Sequence, residues 1–99
     1  MSLDEARWLV GVHESGSAAD LRAATIAVLT SLVTRGLAEL GDLRPRFEPW
    51  SSTAEDALAR VRREWWDPEQ ELRPGNVCWV QNTPAGDEIA HAIEAARGT

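Results

Sequence analysis

The sequence predicts an α+β fold that is mostly helical, with about four helices and a two-stranded antiparallel hairpin. Four segments begin with a capping residue or Pro and continue with apolar residues at spacings of three and four, as amphipathic helices do. Two short apolar segments, residues 37–43 and 77–81, predict the two strands. With 99 residues the chain has room for one domain, which we expect to span residues 1–99.

The first two helices are predicted from capping signals. Ser2 and Glu5 form an S-x-x-E capping box, so a helix is expected from about residue 3 to residue 13. Its apolar residues cover most of the circumference, which predicts that it is sandwiched between other elements. The second helix is expected as one element over residues 18–35, because Ser17 can cap it and no Gly or Pro occurs before Gly36.

The second helix is predicted to have one apolar face and one face of small, nearly uncharged residues. Small residues allow another helix to approach closely, so we expect the N-terminal helix to dock on this second face, and a dimer contact is the alternative. The small face holds Ala23, Ala27 and Thr30, and the apolar face holds Leu21, Ala24, Thr25, Val28, Leu29 and Leu32.

The rest of the chain is predicted as strand, loop, helix, loop, strand and helix. A turn is expected near Gly41, and two prolines predict a loop over residues 44–52. Thr53 caps a third helix that ends at Asp67, before a surface loop. Thr83 and Pro84 start the last helix. Its buried stripe is expected to contain Ile89, Ala92, Ile93 and Ala96.

Two segments resemble a known family. Residues 34–40 (TRGLAEL) lead from a helix into a strand, and residues 79–86 (WVQNTPAG) lead from a strand into the last helix. In these segments the chain resembles the winged-helix domains of bacterial regulators of the MarR and PadR type. The resemblance implies a winged-helix-like fold in which residues 44–76 are a helix and loops inserted within the wing. It also implies a dimeric transcription regulator that binds DNA.

Charge and residue type disfavour DNA as the partner. The chain has 10 Arg, no Lys and 16 acidic residues, and its net charge of -6 repels polyanions. The second helix would read the DNA, yet it offers few side chains that reach phosphates or base edges. The candidate DNA-binding residues are Arg22, Thr30, Thr34 and Arg35.

Tryptophan and arginine near the third helix predict a protein-binding site. The chain has five Trp, a residue type that is frequent at interaction hot spots. Trp8, Trp65 and Trp79 lie on predicted apolar faces and are expected in the core. The next residue, Trp66, lies about 100° around the helix, either under the following loop or exposed as a partner anchor. The candidate partner-binding residues are Trp50, Arg62, Arg63 and Trp66, and a salt-bridged helix face is the alternative for the arginines.

No catalytic residue, metal site or cofactor is predicted. His13 and Glu14 lack the spacing of a zinc-binding helix, and His91 with Asp87 would supply two ligands at most. Cys78 lies among apolar strand residues, so we expect a small buried side chain and not a nucleophile. We therefore expect that the protein is not an enzyme.

Two functions stay open from the sequence. The first is a small acidic protein-interaction module of the adaptor, antitoxin or immunity type on a winged-helix-like scaffold. The second is the dimeric regulator that the resemblance implies. The longest apolar run, residues 26–33, is too short for a membrane span. Because the first residues are acidic where a signal peptide is basic, a cytoplasmic location is expected.

Overall fold

The computed structural model describes residues 1–13, 16–72 and 77–97. These residues form four helices and three strands, so the expected α+β class and helix number are confirmed. In chain order the elements are α1 (Leu3–His13), α2 (Ala18–Thr34), β1 (Ala38–Leu43), β2 (Phe47–Pro49), α3 (Ala54–Glu64), β3 (Trp79–Asn82) and α4 (Pro84–Arg97).

The sheet has three antiparallel strands in the order β2-β1-β3. Leu40 of β1 lies opposite Val80 of β3, so the two segments expected to form the hairpin do pair. The third strand, β2, lies in the segment that was expected to be a loop. A proline is tolerated there because Pro49 ends an edge strand.

The turn between β1 and β2 lies at residues 44–46, and the expectation of a turn near Gly41 is wrong. The backbone N–H of Arg44 donates to the carbonyl of Arg46 over 2.8 Å and closes this turn. Gly41 itself lies within β1, opposite Pro49. A Cβ at this position would overlap the carbonyl oxygen of Glu48, so the glycine allows two strands to approach closely.

The predicted helix caps are present. The hydroxyl of Ser17 accepts from the backbone N–H of Asp20, whose carboxylate accepts from the N–H of Ser17, both over 3.2 Å. Thr53 accepts in the same way from the N–H of Asp56 over 3.1 Å. Gly36 has a φ of 73°, which lets the chain turn out of α2.

The core lies between the sheet, α2 and α3. Trp65 is fully buried, as expected, and so is Cys78. Twelve apolar residues form this core: Leu3, Ile26, Leu29, Ala38, Leu40, Ala57, Leu58, Val61, Trp65, Leu72, Cys78 and Val80.

α1 lies on the surface, so the expectation that it is sandwiched is wrong. It packs on α2 and β3, and its other side faces solvent. Trp8 is 67% exposed for this reason, although it was expected in the core. Trp79, also expected in the core, is only partly buried.

α4 packs against β3 and leaves its apolar stripe in solvent. The expected burial of this stripe is wrong, because Ile89, Ala92, Ile93 and Ala96 are all exposed. Val28 of α2 was also expected in the core and is 45% exposed. None of the described helices combines the length and the apolar character that crossing a membrane requires.

Candidate protein-interaction surface

The end of α3 presents an exposed tryptophan beside two exposed arginines. Trp65 leaves the helical conformation, with φ of −109° and ψ of 60°, and its side chain is fully buried. The next side chain, Trp66, is 74% exposed. Of the two expectations for Trp66, the exposed position is therefore the one that the structure has. Arg62 and Arg63 in the last turn of α3 are also exposed.

The arginines of α3 differ in their partners. Arg60 and Glu64 form an i,i+4 ion pair, with 2.6 Å between Nε and Oε2. Within the described part of the chain, Arg62 and Arg63 form no ion pair. Their charges are therefore available to an acidic ligand, whereas that of Arg60 is offset by Glu64.

Arg22 connects α2 to the end of α3. Its Nε donates to the carbonyl of Trp65 over 2.6 Å, and its Nη2 donates to the carbonyl of Arg62 over 3.2 Å. The last carbonyls of a helix have no partner within the helix, and they attract a cation. The guanidinium also lies 5.9 Å from the centre of the Trp65 ring. A residue predicted to contact DNA is thus engaged by the protein itself.

The other candidate DNA-binding residues lie along the second half of α2. The hydroxyl of Thr30 donates to the carbonyl of Ile26 over 2.7 Å, and that of Thr34 donates to the carbonyl of Thr30 over 2.6 Å. Arg35 is exposed and caps α2. α2 is one uninterrupted helix of 17 residues, as expected.

The small face of α2 borders an open groove of about 590 Å³. We expected α1 to dock on this face, but α1 approaches α2 elsewhere, where Gly11 lies against Leu21. The groove continues to Arg62, so it adjoins the predicted binding residues on α3. The small residues at a spacing of four were the available signal for it. Its lining is Arg22, Ala23, Ile26, Ala27, Thr30, Ser31 and Arg62.

Trp50 lies away from the other three candidate residues. The guanidinium of Arg60 is 3.8 Å from the centre of its ring, and its Nε1 donates to Asp42 Oδ2 over 3.2 Å. Arg60 and Arg62 are about 200° apart around α3, since each residue turns the helix by about 100°. The structure therefore brings Arg62, Arg63 and Trp66 to one end of α3 and places Trp50 on another flank.

The structure gives Cys78 no features of a nucleophile. Burial, together with the negative charge of Glu64 as the smaller cause, raises the pKa of its thiol from 9.0 to about 12. The thiol is therefore protonated at neutral pH, whereas the thiolate is the reactive form. Among the described residues, no three His, Cys, Asp or Glu side chains are grouped as metal ligands. His91 is exposed on α4, while Glu14 and the side chain of His13 lie outside the described residues.

Comparisons of this chain with protein-family models, with curated proteins and with solved structures return no match. The resemblance to winged-helix regulators is therefore carried by residues 34–40 and 79–86 alone. In the structure these segments contain the exit from α2, parts of β1 and β3, and the start of α4.

Proposed function

We propose that this chain is a small acidic protein-interaction module without catalytic activity, of the adaptor, antitoxin or immunity type. The observation that carries the proposal is the 74% exposure of Trp66 at the end of α3. A large aromatic ring in water gains more by burial in a partner than any other side chain type. Trp and Arg are also the residue types that dominate binding energy at interfaces.

The partner has an apolar pocket with acidic residues at its rim. Trp66 supplies the ring that enters the pocket, and Arg62 and Arg63 supply positive charge beside it. The chain as a whole carries a net charge of -6, so this basic surface is local. Local charge complementarity accelerates association and selects the partner more than it strengthens binding.

A winged-helix-like scaffold is part of the proposal, and a dimeric DNA-binding regulator is the alternative. The two family-like segments and the antiparallel pairing of β1 with β3 support the scaffold. The regulator has less support, because Arg22 is bonded to α3 and the hydroxyls of Thr30 and Thr34 are bonded within α2. Base readout needs donors and acceptors that are free to reach the groove.

Affinity capture of the full chain with two matched tryptophan variants tests the proposal. Trp66→Ala removes the proposed anchor, and Trp8→Ala removes the other tryptophan that is mostly exposed, at 67%. We expect the bound protein recovered from the cells of origin to fall at least about tenfold with Trp66→Ala and with Arg63→Ala, and to be unchanged with Trp8→Ala. A partner that Trp66→Ala and Arg63→Ala both retain would contradict the proposed site.

DNA binding is measured with the same full chain by fluorescence anisotropy of a random-sequence duplex. We expect no binding at low salt, because a net charge of -6 opposes phosphate contacts. Binding that weakens steeply as salt rises, and that Arg35→Ala reduces, would instead support the regulator. Arg35 is the informative position because its side chain is exposed, so its loss leaves the fold intact.

A further inference from the structure

α1, α2 and β3 enclose an apolar groove of about 330 Å³ that the proposed function does not use. None of its ten lining residues has an ionisable side chain. Several of them are well exposed, including Leu9 and Val28. Continuous exposed apolar surface of this kind marks an interaction site. The residues that shape the groove include Met1, Leu9, Val10, Val28, Leu32 and Val80.

α4 supplies a helix of matching character. Ile89 and Ile93, one turn apart on the helix, are 42% and 49% exposed. The charged and polar residues Asp87, Glu88 and His91 are exposed as well. An amphipathic helix normally buries its apolar side against a neighbour. Within residues 1–13, 16–72 and 77–97 of one copy, these two isoleucines stay nearly half exposed.

We propose that α4 of a second copy of this chain occupies the groove, so that two copies form a reciprocal dimer. Asn82, the last residue of β3, lines the groove, and α4 begins two residues later at Pro84. Each α4 therefore starts at the rim of one groove. In a two-fold dimer each copy gives one helix and receives one, so both apolar surfaces are covered and association stops at two copies.

The size of the two surfaces sets the strength of such a dimer, and their side chains decide which faces can meet. A helix of 14 residues is about 21 Å long and about 10 Å across, so half of its side is about 300 Å². Each copy would bury one helix face and one groove, at most about 600 Å², which is less than the roughly 800 Å² per partner of a standard interface, so a weak, concentration-dependent dimer is expected. The groove has no ionisable side chain, and the N-terminal ammonium of Met1, which lines it, already donates to the carbonyl of Val80 over 2.6 Å. Asp87 and Glu88 stay in water on the outer side.

Sedimentation equilibrium of the full chain over roughly a hundredfold range of concentration tests this dimer. We expect a monomer–dimer equilibrium whose Kd rises at least about tenfold with Ile93→Glu on α4 and with Val28→Glu in the groove. His91→Glu is the matched control, because it adds a negative charge to the same helix on its polar side. It is expected to leave the Kd unchanged.

Three results would overturn the dimer. A chain that is monomeric at every concentration has no such interface. A dimer that Ile93→Glu breaks and Val28→Glu leaves intact joins α4 to α4, not α4 to the groove. A dimer that both variants leave intact uses another surface. These side chains are partly exposed in the monomer, so circular dichroism is expected to show folded variants, and Ile89→Glu replaces Ile93→Glu if that variant is unfolded.

Discussion

Among single residues, Trp65 and Trp66 show what helical spacing can predict. Continued helical spacing would separate the two side chains by about 100°, but α3 ends at Glu64 and Trp65 is its C-cap. The spacing does place Trp65 on the apolar face, where it is buried as expected. The same reasoning fails for Trp8, which is exposed because no element covers that side of α1. Spacing identifies an apolar face, but it does not show whether another element packs on it. The core position of Trp65 was therefore predictable, and the exposure of Trp66 was one of two alternatives.

Arg22 is expected to contribute to stability, not to DNA recognition. Arg22→Ala removes the hydrogen bonds to the carbonyls of Trp65 and Arg62, and we expect it to lower the free energy of unfolding by about 2 kcal/mol. Arg35→Ala, at the exposed end of α2, is the control and is expected to change it by less than about 0.5 kcal/mol. Urea unfolding measures both. If the two substitutions lowered the free energy of unfolding equally, the hydrogen bonds of Arg22 would contribute nothing to stability.

Cys78 is expected to make the protein less stable in alkaline solution. Burial raises the pKa of its thiol from 9.0 to about 12 in the folded protein, so above pH 9 the unfolded chain holds fewer protons than the folded chain. The free energy of unfolding then falls by up to about 1.4 kcal/mol per pH unit until the folded thiol also ionises. The chain has no Lys and no Tyr, so no such side chain titrates in this range.

Urea unfolding between about pH 9 and pH 11 measures this slope. Cys78→Ala is the comparison, because it removes the titrating group whatever it does to packing. The free energy of unfolding of the wild type is expected to fall across this pH range, while that of Cys78→Ala is expected to stay constant. The same slope in both proteins would assign the alkaline loss to another group.

At the scale of elements, capping residues predicted the starts of two helices correctly, whereas the pairing of β2 with β1 was not predicted. The caps at Ser17 and Thr53 depend on residues three positions away, so the starts of α2 and α3 could be read from the sequence. β2 has three residues and ends in Pro49, and it is a strand because β1 pairs with it. Only a turn of three residues separates β1 from β2, and the two prolines of this segment, Pro45 and Pro49, were the reason that it was expected to be a loop.

Two glycines in regular elements are expected to respond oppositely to alanine. Gly41→Ala places a Cβ against the carbonyl of Glu48, so the strands must separate, and we expect a loss of more than about 2 kcal/mol in the free energy of unfolding. Gly11→Ala in α1 meets Leu21 Cδ1 at 3.6 Å, an ordinary contact, and is expected to gain up to about 1 kcal/mol. Thermal unfolding distinguishes the two, and a stabilised Gly41→Ala variant would show that β1 and β2 lie further apart.

For the whole molecule, the sequence predicted the class of the fold but not the distribution of its apolar surface. The stripes of α2, α3 and α4 have the same spacing, yet α4 leaves Ile89 and Ile93 in solvent. Similarly, Trp50, Arg62, Arg63 and Trp66 were expected to form one site, and the structure separates Trp50 from the rest. The direction and packing of the helices determine which stripe is buried and which candidate residues meet. The sequence pattern does not predict that direction or packing.

The junction between the end of α2 and the start of α4 has a mechanical consequence. The hydroxyl of Thr83 donates to the carbonyl of Gly36 over 2.6 Å and accepts from the N–H of Gly86 over 3.2 Å. The backbone N–H of Thr83 donates to the carbonyl of Leu37 over 3.0 Å. The two family-like segments thus meet at one joint, which sets the angle at which α4 leaves the body. The start of α4 is therefore fixed relative to residues 36 and 37, which connect α2 to β1, and α4 cannot change direction without breaking these hydrogen bonds.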